Sequence, residues 1–192
     1  MALRLRTVLG LGGAAALAGG IALSGLSEVK AQSSVGTPGF SFRWDSTKDF
    51  KKLYYVISNQ ERDTWSDYTL ILKGKDRKAA IMKLDVTVPQ IFNSPIDPKK
   101  VSLKYCQVGG AMSRTRCKET IPATVELAND GKTIEIFPES PVPPNKAIGV
   151  VFPVYNPDSG MYQFNALAQA PGDVPMAGYL GSWVIELTDG ID

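Results

Sequence analysis

Histidine is absent from all 192 residues. Without an imidazole, no Ser-His-Asp or Cys-His catalytic arrangement can be assembled. Zinc and copper sites built on histidine are excluded on the same ground. A thioether copper(I) site would have to come from Met112, Met161 and Met176, and methionines at such loose spacing read as packing or loop residues. Cysteine is scarce, with two residues and no C-x-x-C spacing of a redox or metal pair. Charge of one sign is lacking as well. The formal net charge is +2, and residues 1–31 supply it: Arg4, Arg6 and Lys30 stand there against Glu28, which leaves 18 basic and 18 acidic residues in the remainder. A neutral domain has no long-range field for nucleic acid or anionic lipid. No basic run interleaved with aromatics appears, so nucleic-acid binding is not expected. Also missing are a P-loop, a dinucleotide fingerprint, an EF-hand loop, a convincing helical period and a solenoid or propeller repeat. No cofactor is expected.

The chain opens with a segment that reads as an export signal. Arg4 and Arg6 form a basic start, Val8 to Leu26 is free of charge, and Val29 and Ala31 occupy the −3 and −1 positions of a processing site. Cleavage is expected between Ala31 and Gln32. Retention as a membrane anchor is the rival reading, since the apolar run is about long enough to span a bilayer, but Gly10, Gly12, Gly13, Gly19, Gly20 and Gly25 dilute it. Arg4-Leu5-Arg6 is not a twin-arginine pair, which favours the general secretory route. Residues 32–50 then read as a flexible lead-in whose Phe40, Phe42, Trp44 and Phe50 can dock one end onto the domain. The domain itself is expected over 51–192.

Export places Cys106 and Cys117 in an oxidising space, where an even count reads as a disulfide. The ten residues between them contain Gly109 and Gly110 and are otherwise mostly polar, which suits a connection between two strands closed by a staple. In the chain-entropy picture a loop this short contributes roughly 2–3 kcal/mol.

Around these features the pattern is β. Tyr68 to Leu72 is rich in branched and aromatic residues, Ile81, Leu84, Val86 and Val88 mark a second run, and Val101 to Tyr105 alternates with period two. Ala123 to Ala128 and Thr133 to Phe137 alternate on either side of Asn129-Asp130-Gly131, a hairpin signal, because Asn and Gly tolerate the positive φ of such turns. Ala147 to Tyr155, Met161 to Ala168 and Leu180 to Leu187 complete the set, with Asn156-Pro157-Asp158-Ser159-Gly160 and Pro171-Gly172-Asp173 as turns. Leu53 to Ile57 is ambiguous between a short strand and a helical turn. The cluster Lys73, Lys75, Asp76, Arg77, Lys78 reads as a solvated loop. About seven or eight antiparallel strands broken by proline and glycine predict a single all-β, immunoglobulin-like sandwich, with a small β-barrel as the alternative.

The C-terminal half also carries a resemblance. Val151-Phe152-Pro153-Val154-Tyr155-Asn156-Pro157, then Gly160-Met161-Tyr162-Gln163-Phe164-Asn165-Ala166, then Gly178-Tyr179-Leu180-Gly181-Ser182-Trp183 resemble a family of exported cyanobacterial proteins of unknown function, over roughly residues 68–188. The resemblance implies a signal-bearing β domain, a cyanobacterial source and a place in the periplasm, envelope or thylakoid lumen. It implies no activity.

Two classes of function are left to weigh. Tyr162, Tyr179 and Trp183 read first as packing residues, and alternatively as an aromatic face for a glycan or protein of the envelope or lumen. Glu135, Glu139, Asp158, Asp173 and Asp189 supply carboxylates, but glycosidase chemistry needs two of them across a cleft, and turn aspartates serve the backbone. A calcium ion between Asp158 or Asp130 and Asn129 is a further alternative. The expectation is a non-catalytic exported binding or structural module that does not insert in the membrane after cleavage. The rivals are an enzyme acting on an envelope glycan through loop carboxylates and a membrane-tethered scaffold.

Overall fold

A computed structural model describes residues 51–110, 113–172 and 177–190. The leader, the processing site at Ala31 and Gln32, the lead-in, Met112, Asp173 and Met176 lie outside the described residues. Ten strands form two five-stranded antiparallel sheets. They are β1 (Tyr54–Ile57), β2 (Trp65–Leu72), β3 (Lys83–Thr87), β4 (Ser102–Gln107), β5 (Arg116–Ile121), β6 (Ala123–Ala128), β7 (Thr133–Pro138), β8 (Ala147–Tyr155), β9 (Gly160–Gln169) and β10 (Ala177–Leu187). The first sheet runs β1-β2-β8-β4-β5 and the second β10-β9-β3-β7-β6. The expected sandwich is therefore present, not the barrel, and the described residues form ten strands where about seven or eight were expected. Helical structure among the described residues is confined to two 3-10 turns, Gly74–Asp76 and Pro98–Lys100, and no helix there is long and apolar enough to cross a membrane.

Alternation decides which side chains are inside. In β2, Ser66, Tyr68, Leu70 and Leu72 face the core while Trp65, Asp67 and Thr69 face out. In β8, Ile148, Val150, Phe152 and Val154 are buried and Tyr155 is not. β7 and β9 contribute Ile134, Ile136, Tyr162, Phe164 and Ala166 from the other sheet. Burying each such side chain stabilises the fold by roughly 1.5–3 kcal/mol. Phe92, from the proline-bearing connection between β3 and β4, closes one end of the core. Its ring meets Phe164 at 5.2 Å and Tyr162 at 5.3 Å in edge-to-face pairs, the geometry that the ring quadrupole favours.

The two strands that escaped the sequence pattern are both edges. β1 is a strand, not a helical turn, and pairs β2 from Tyr54↔Ile71 to Ile57↔Tyr68. β5 has almost no apolar alternation and is mostly exposed; its charges guard an open edge against further pairing. Only Pro122 separates β5 from β6, so the chain passes there from one sheet to the other. At the opposite edge the sheets are tied by backbone bonds: Leu53 N donates to Ser182 O (2.7 Å), Ser182 N donates to Lys51 O (2.8 Å), and Thr188 N donates to Gln60 O (2.8 Å).

The hairpin is where the sequence places it. Asn129, Asp130 and Gly131 have φ values of 52°, 53° and 80°, and Ala128 pairs with Thr133 across the turn.

Candidate functional site

The outer face of the first sheet carries an aromatic strip. Trp65 on β2 and Tyr155 on β8 are paired neighbours, so their side chains emerge on the same side. Their rings meet at 5.8 Å with an interplanar angle of 75°. Trp65 is 65% exposed and Tyr155 41%, far more than aromatics that serve packing. Val56 (opposite Thr69) and Tyr54 (opposite Ile71) continue the strip along β1. These four make up half of the eight large apolar side chains exposed among the described residues. The other four, Met82, Ile91, Met161 and Tyr179, lie on the second sheet or in connections, so this face carries the largest single share.

The disulfide stiffens this face. Cys106 and Cys117 are bonded and join β4 to β5. Both sulfurs lie over Gly149 of β8: a Cβ built there would meet Cys106 Sγ at 2.7 Å and Cys117 Sγ at 3.2 Å. Glycine at 149 is what allows the bridge to lie flat against the sheet.

The second sheet presents a different outer face. Ser182 Oγ donates to Asn165 Oδ1 (2.6 Å), Asn165 Nδ2 donates to Thr87 Oγ1 (3.0 Å), and Gln163 Nε2 donates to Asn165 Oδ1 (2.8 Å). Lys83 Nζ lies 2.6 Å from Glu135 and 3.1 Å from Asp85. The hydrogen bond to Glu135 holds the lysine above its ordinary range. Apart from Asp85 Oδ1, which has no hydrogen-bond partner among the described residues, these polar groups satisfy one another.

The aromatic face weighed as the alternative for Tyr162, Tyr179 and Trp183 is not formed by the three together; the packing reading holds for Trp183 and Tyr162. Trp183 is fully buried and its Nε1–H donates to Ile71 O at 3.1 Å, bridging the sheets. Tyr162 is buried, its hydroxyl donates to Asp158 O at 2.7 Å, and burial raises its pKa. Only Tyr179 is exposed (42%), and its hydroxyl is 2.6 Å from Ser182 Oγ. The cause is a β-bulge. Tyr179 pairs with Leu167 but Gly181 pairs with Ala166, so the extra residue reverses the phase of β10. Tyr179 points outward and Trp183, four residues on, points inward. Gly181 sits at the reversal with φ 143°, a value that an L side chain rarely adopts.

The carboxylates are dispersed. Glu135 is held by Lys83, and Asp189 lies 3.5 Å from Arg62 Nε. Asp130 shapes the hairpin turn. No group of three acidic or cysteine side chains that would hold a metal ion occurs among the described residues. Met161 is exposed at the start of β9.

Trp65 and Tyr155 were the residues that sequence reasoning missed, although the signal was present. Tyr68, Leu70 and Leu72 define the inward parity of β2, so Trp65, an odd number of positions away, has to point outward.

No curated protein matches the sequence. Among solved structures, the chain is similar to the bacterial hydrophobin BslA (15% identity, 73% of this chain and 95% of that one, TM-score 0.48). It is also similar to the collagen-binding domain of a Staphylococcus aureus adhesin (10% identity, 70% and 96%, TM-score 0.38) and to an uncharacterized Nocardia farcinica protein with an immunoglobulin-like fold (11% identity, 71% and 97%, TM-score 0.40). The profile of the family described as "Protein of unknown function (DUF2808)" matches residues 41–187, which takes in every strand of the sandwich. The chain belongs to this DUF2808 family.

Proposed function

We propose that this protein is an exported, non-catalytic binding module of a cyanobacterial envelope or thylakoid lumen, and that it contacts its partner through the Trp65–Tyr155 face. The exposed, mutually ordered aromatic pair on a disulfide-stiffened sheet carries the reading. Indole and phenol rings already held in place lose little conformational freedom on binding, and such residues dominate contact energies. The disulfide supports export, because bridges persist outside reducing compartments. The leader supports it independently, and in this reading the mature chain begins at Gln32, with the sandwich domain over 51–192.

The test compares the exported protein with its Trp65→Ala/Tyr155→Ala variant in co-sedimentation with envelope fragments of the source cell. Both should melt at similar temperatures, since neither ring belongs to the core. The parent should pellet, and the variant should remain largely in the supernatant. Equal pelleting by a folded variant would refute the face. The mass of the isolated protein tests the processing site: a chain that retains residues 1–31 would instead be a tethered scaffold.

A further inference from the structure

Six cations gather where β1 enters the sandwich. Lys51 and Lys52 come from the chain before β1, and Lys73, Lys75, Arg77 and Lys78 from the turn after β2. Among the described residues Asp76 is the single acid lining the same region. The sequence pattern shows the second group as a solvated run, but folding brings the first group beside it and hollows a cleft between them. Lys51, Lys52, Lys73 and Lys75, with Tyr54 and Asp76, line a recess of about 320 Å³. A second recess of about 530 Å³ shares Lys51 and Asp76 with it and is walled by Arg77 together with apolar residues that include Ala80, Ile81 and Leu180.

Arg77 walls the second recess and not the first. It is 4% exposed, and its guanidinium donates to the carbonyls of Val142 and Lys146. Among the described residues its buried Nε–H has no hydrogen-bond partner and no carboxylate forms an ion pair with it. Burial lowers its pKa, while Tyr105 and Asp76 oppose that shift. An anion held in the recess that Arg77 walls would add to their effect. Asp76 offsets only one of the cations: its carboxylate is engaged by Lys51 Nζ at 3.1 Å and by the Lys73 backbone N–H at 2.8 Å.

We propose that the cleft between Lys51–Lys52 and Lys73–Lys75 binds an acidic polysaccharide, the lysines holding its carboxylate or sulfate groups. The shape of the site selects this ligand over other polyanions. A bilayer surface calls for a flat or protruding basic face, whereas these lysines wall a recess. An acidic peptide adding itself as a strand needs a free backbone edge, but Lys51–Leu53 is already paired with Ser182. Lys73 Nζ lies 4.8 Å over the Tyr54 ring and Lys51 is paired with Asp76, which leaves the exposed Lys52 and Lys75 as the donors that meet the spaced anionic groups of a sugar-acid chain. The site lies apart from the Trp65–Tyr155 pair, at the other end of β2.

The experiment titrates the exported protein with polygalacturonate, with dextran sulfate, with neutral dextran and with phosphatidylglycerol vesicles. Binding to the two acidic polymers, weakened by salt, is expected, with none to neutral dextran. Lys52→Gln/Lys73→Gln/Lys75→Gln should weaken the acidic-polymer affinity about tenfold or more and flatten its salt dependence. Lys118→Gln, on the far edge strand β5, should bind as the parent does. If the triple variant fails to fold, Lys52→Glu and Lys75→Glu, both at exposed positions, replace it. Undiminished binding by the folded variants, or stronger binding to the vesicles than to the polymers, would overturn the proposal.

Discussion

Asn156 is fully buried, yet every polar group on it has a partner. Its Nδ2 donates to Asn59 O (3.1 Å) and Glu61 O (2.7 Å), and its Oδ1 accepts from Tyr68 OH (2.9 Å). Its backbone N donates to Thr64 O (2.8 Å), and its carbonyl accepts from Asp63 N (3.2 Å). From sequence, Asn156 reads as one residue of an Asn-Pro turn. In the fold it anchors the 58–64 loop to the end of β8. Asn156→Ala strands the Tyr68 hydroxyl and two carbonyls without partners, so it should destabilise by about 2–4 kcal/mol, measurable by urea unfolding. Trp183→Ala should cost about 3–5 kcal/mol, while Trp65→Ala should stay within about 0.5 kcal/mol of the parent. That contrast between two tryptophans follows only from strand phase.

At the scale of elements, the sheets differ in how legible their strands were. β6, β7, β8 and β9 have a buried and an exposed side, so alternation marks them. β5 reads Arg-Cys-Lys-Glu-Thr-Ile and offers only Ile121 to the core, because an edge strand with one neighbour gains more from charge than from burial. The disulfide holds this strand to β4. Cys106→Ser should therefore lower stability by about 2–3 kcal/mol in oxidising buffer and change little in reductant. Equal melting of parent and variant without reductant would count against the staple. Gly149→Ala pushes a methyl group into the two sulfurs and should destabilise the disulfide-bonded protein more than the reduced one.

For the whole molecule, the two outer faces and the basic cleft differ in chemistry. The Trp65–Tyr155 pair lies on the first sheet, a mutually bonded polar group on the second, and excess cations at one end of a chain whose remainder outside the leader is neutral by count. The titrating groups also predict a global property. Burial pushes the Tyr68 and Tyr162 hydroxyls above the ordinary tyrosine range, and the hydrogen bond to Glu135 holds Lys83 above that of lysine. In each case the native state keeps a proton that the unfolded chain gives up. Their contribution is complete below about pH 10, where both states are protonated, and is lost as pH climbs through the range of about 10–10.5 and beyond. Thermal midpoints should thus be level on the acid side of this window and fall above it. Tyr68→Phe should flatten that fall while lowering stability at neutral pH through the lost bond to Asn156.

The order of residues by itself determined the all-β class, the central hairpin with its Asn-Asp-Gly turn and the partnership of Cys106 with Cys117. These depend on local alternation, turn chemistry and short chain separation, all of which can be read within a window of a dozen residues. Tertiary structure alone decided which aromatics are surface and which are core, because one extra residue in β10 inverts the phase of everything after it. Only folding set Lys51 and Lys52 beside Lys73 and Lys75, since charges twenty residues apart share a field only once β1 has paired with β2.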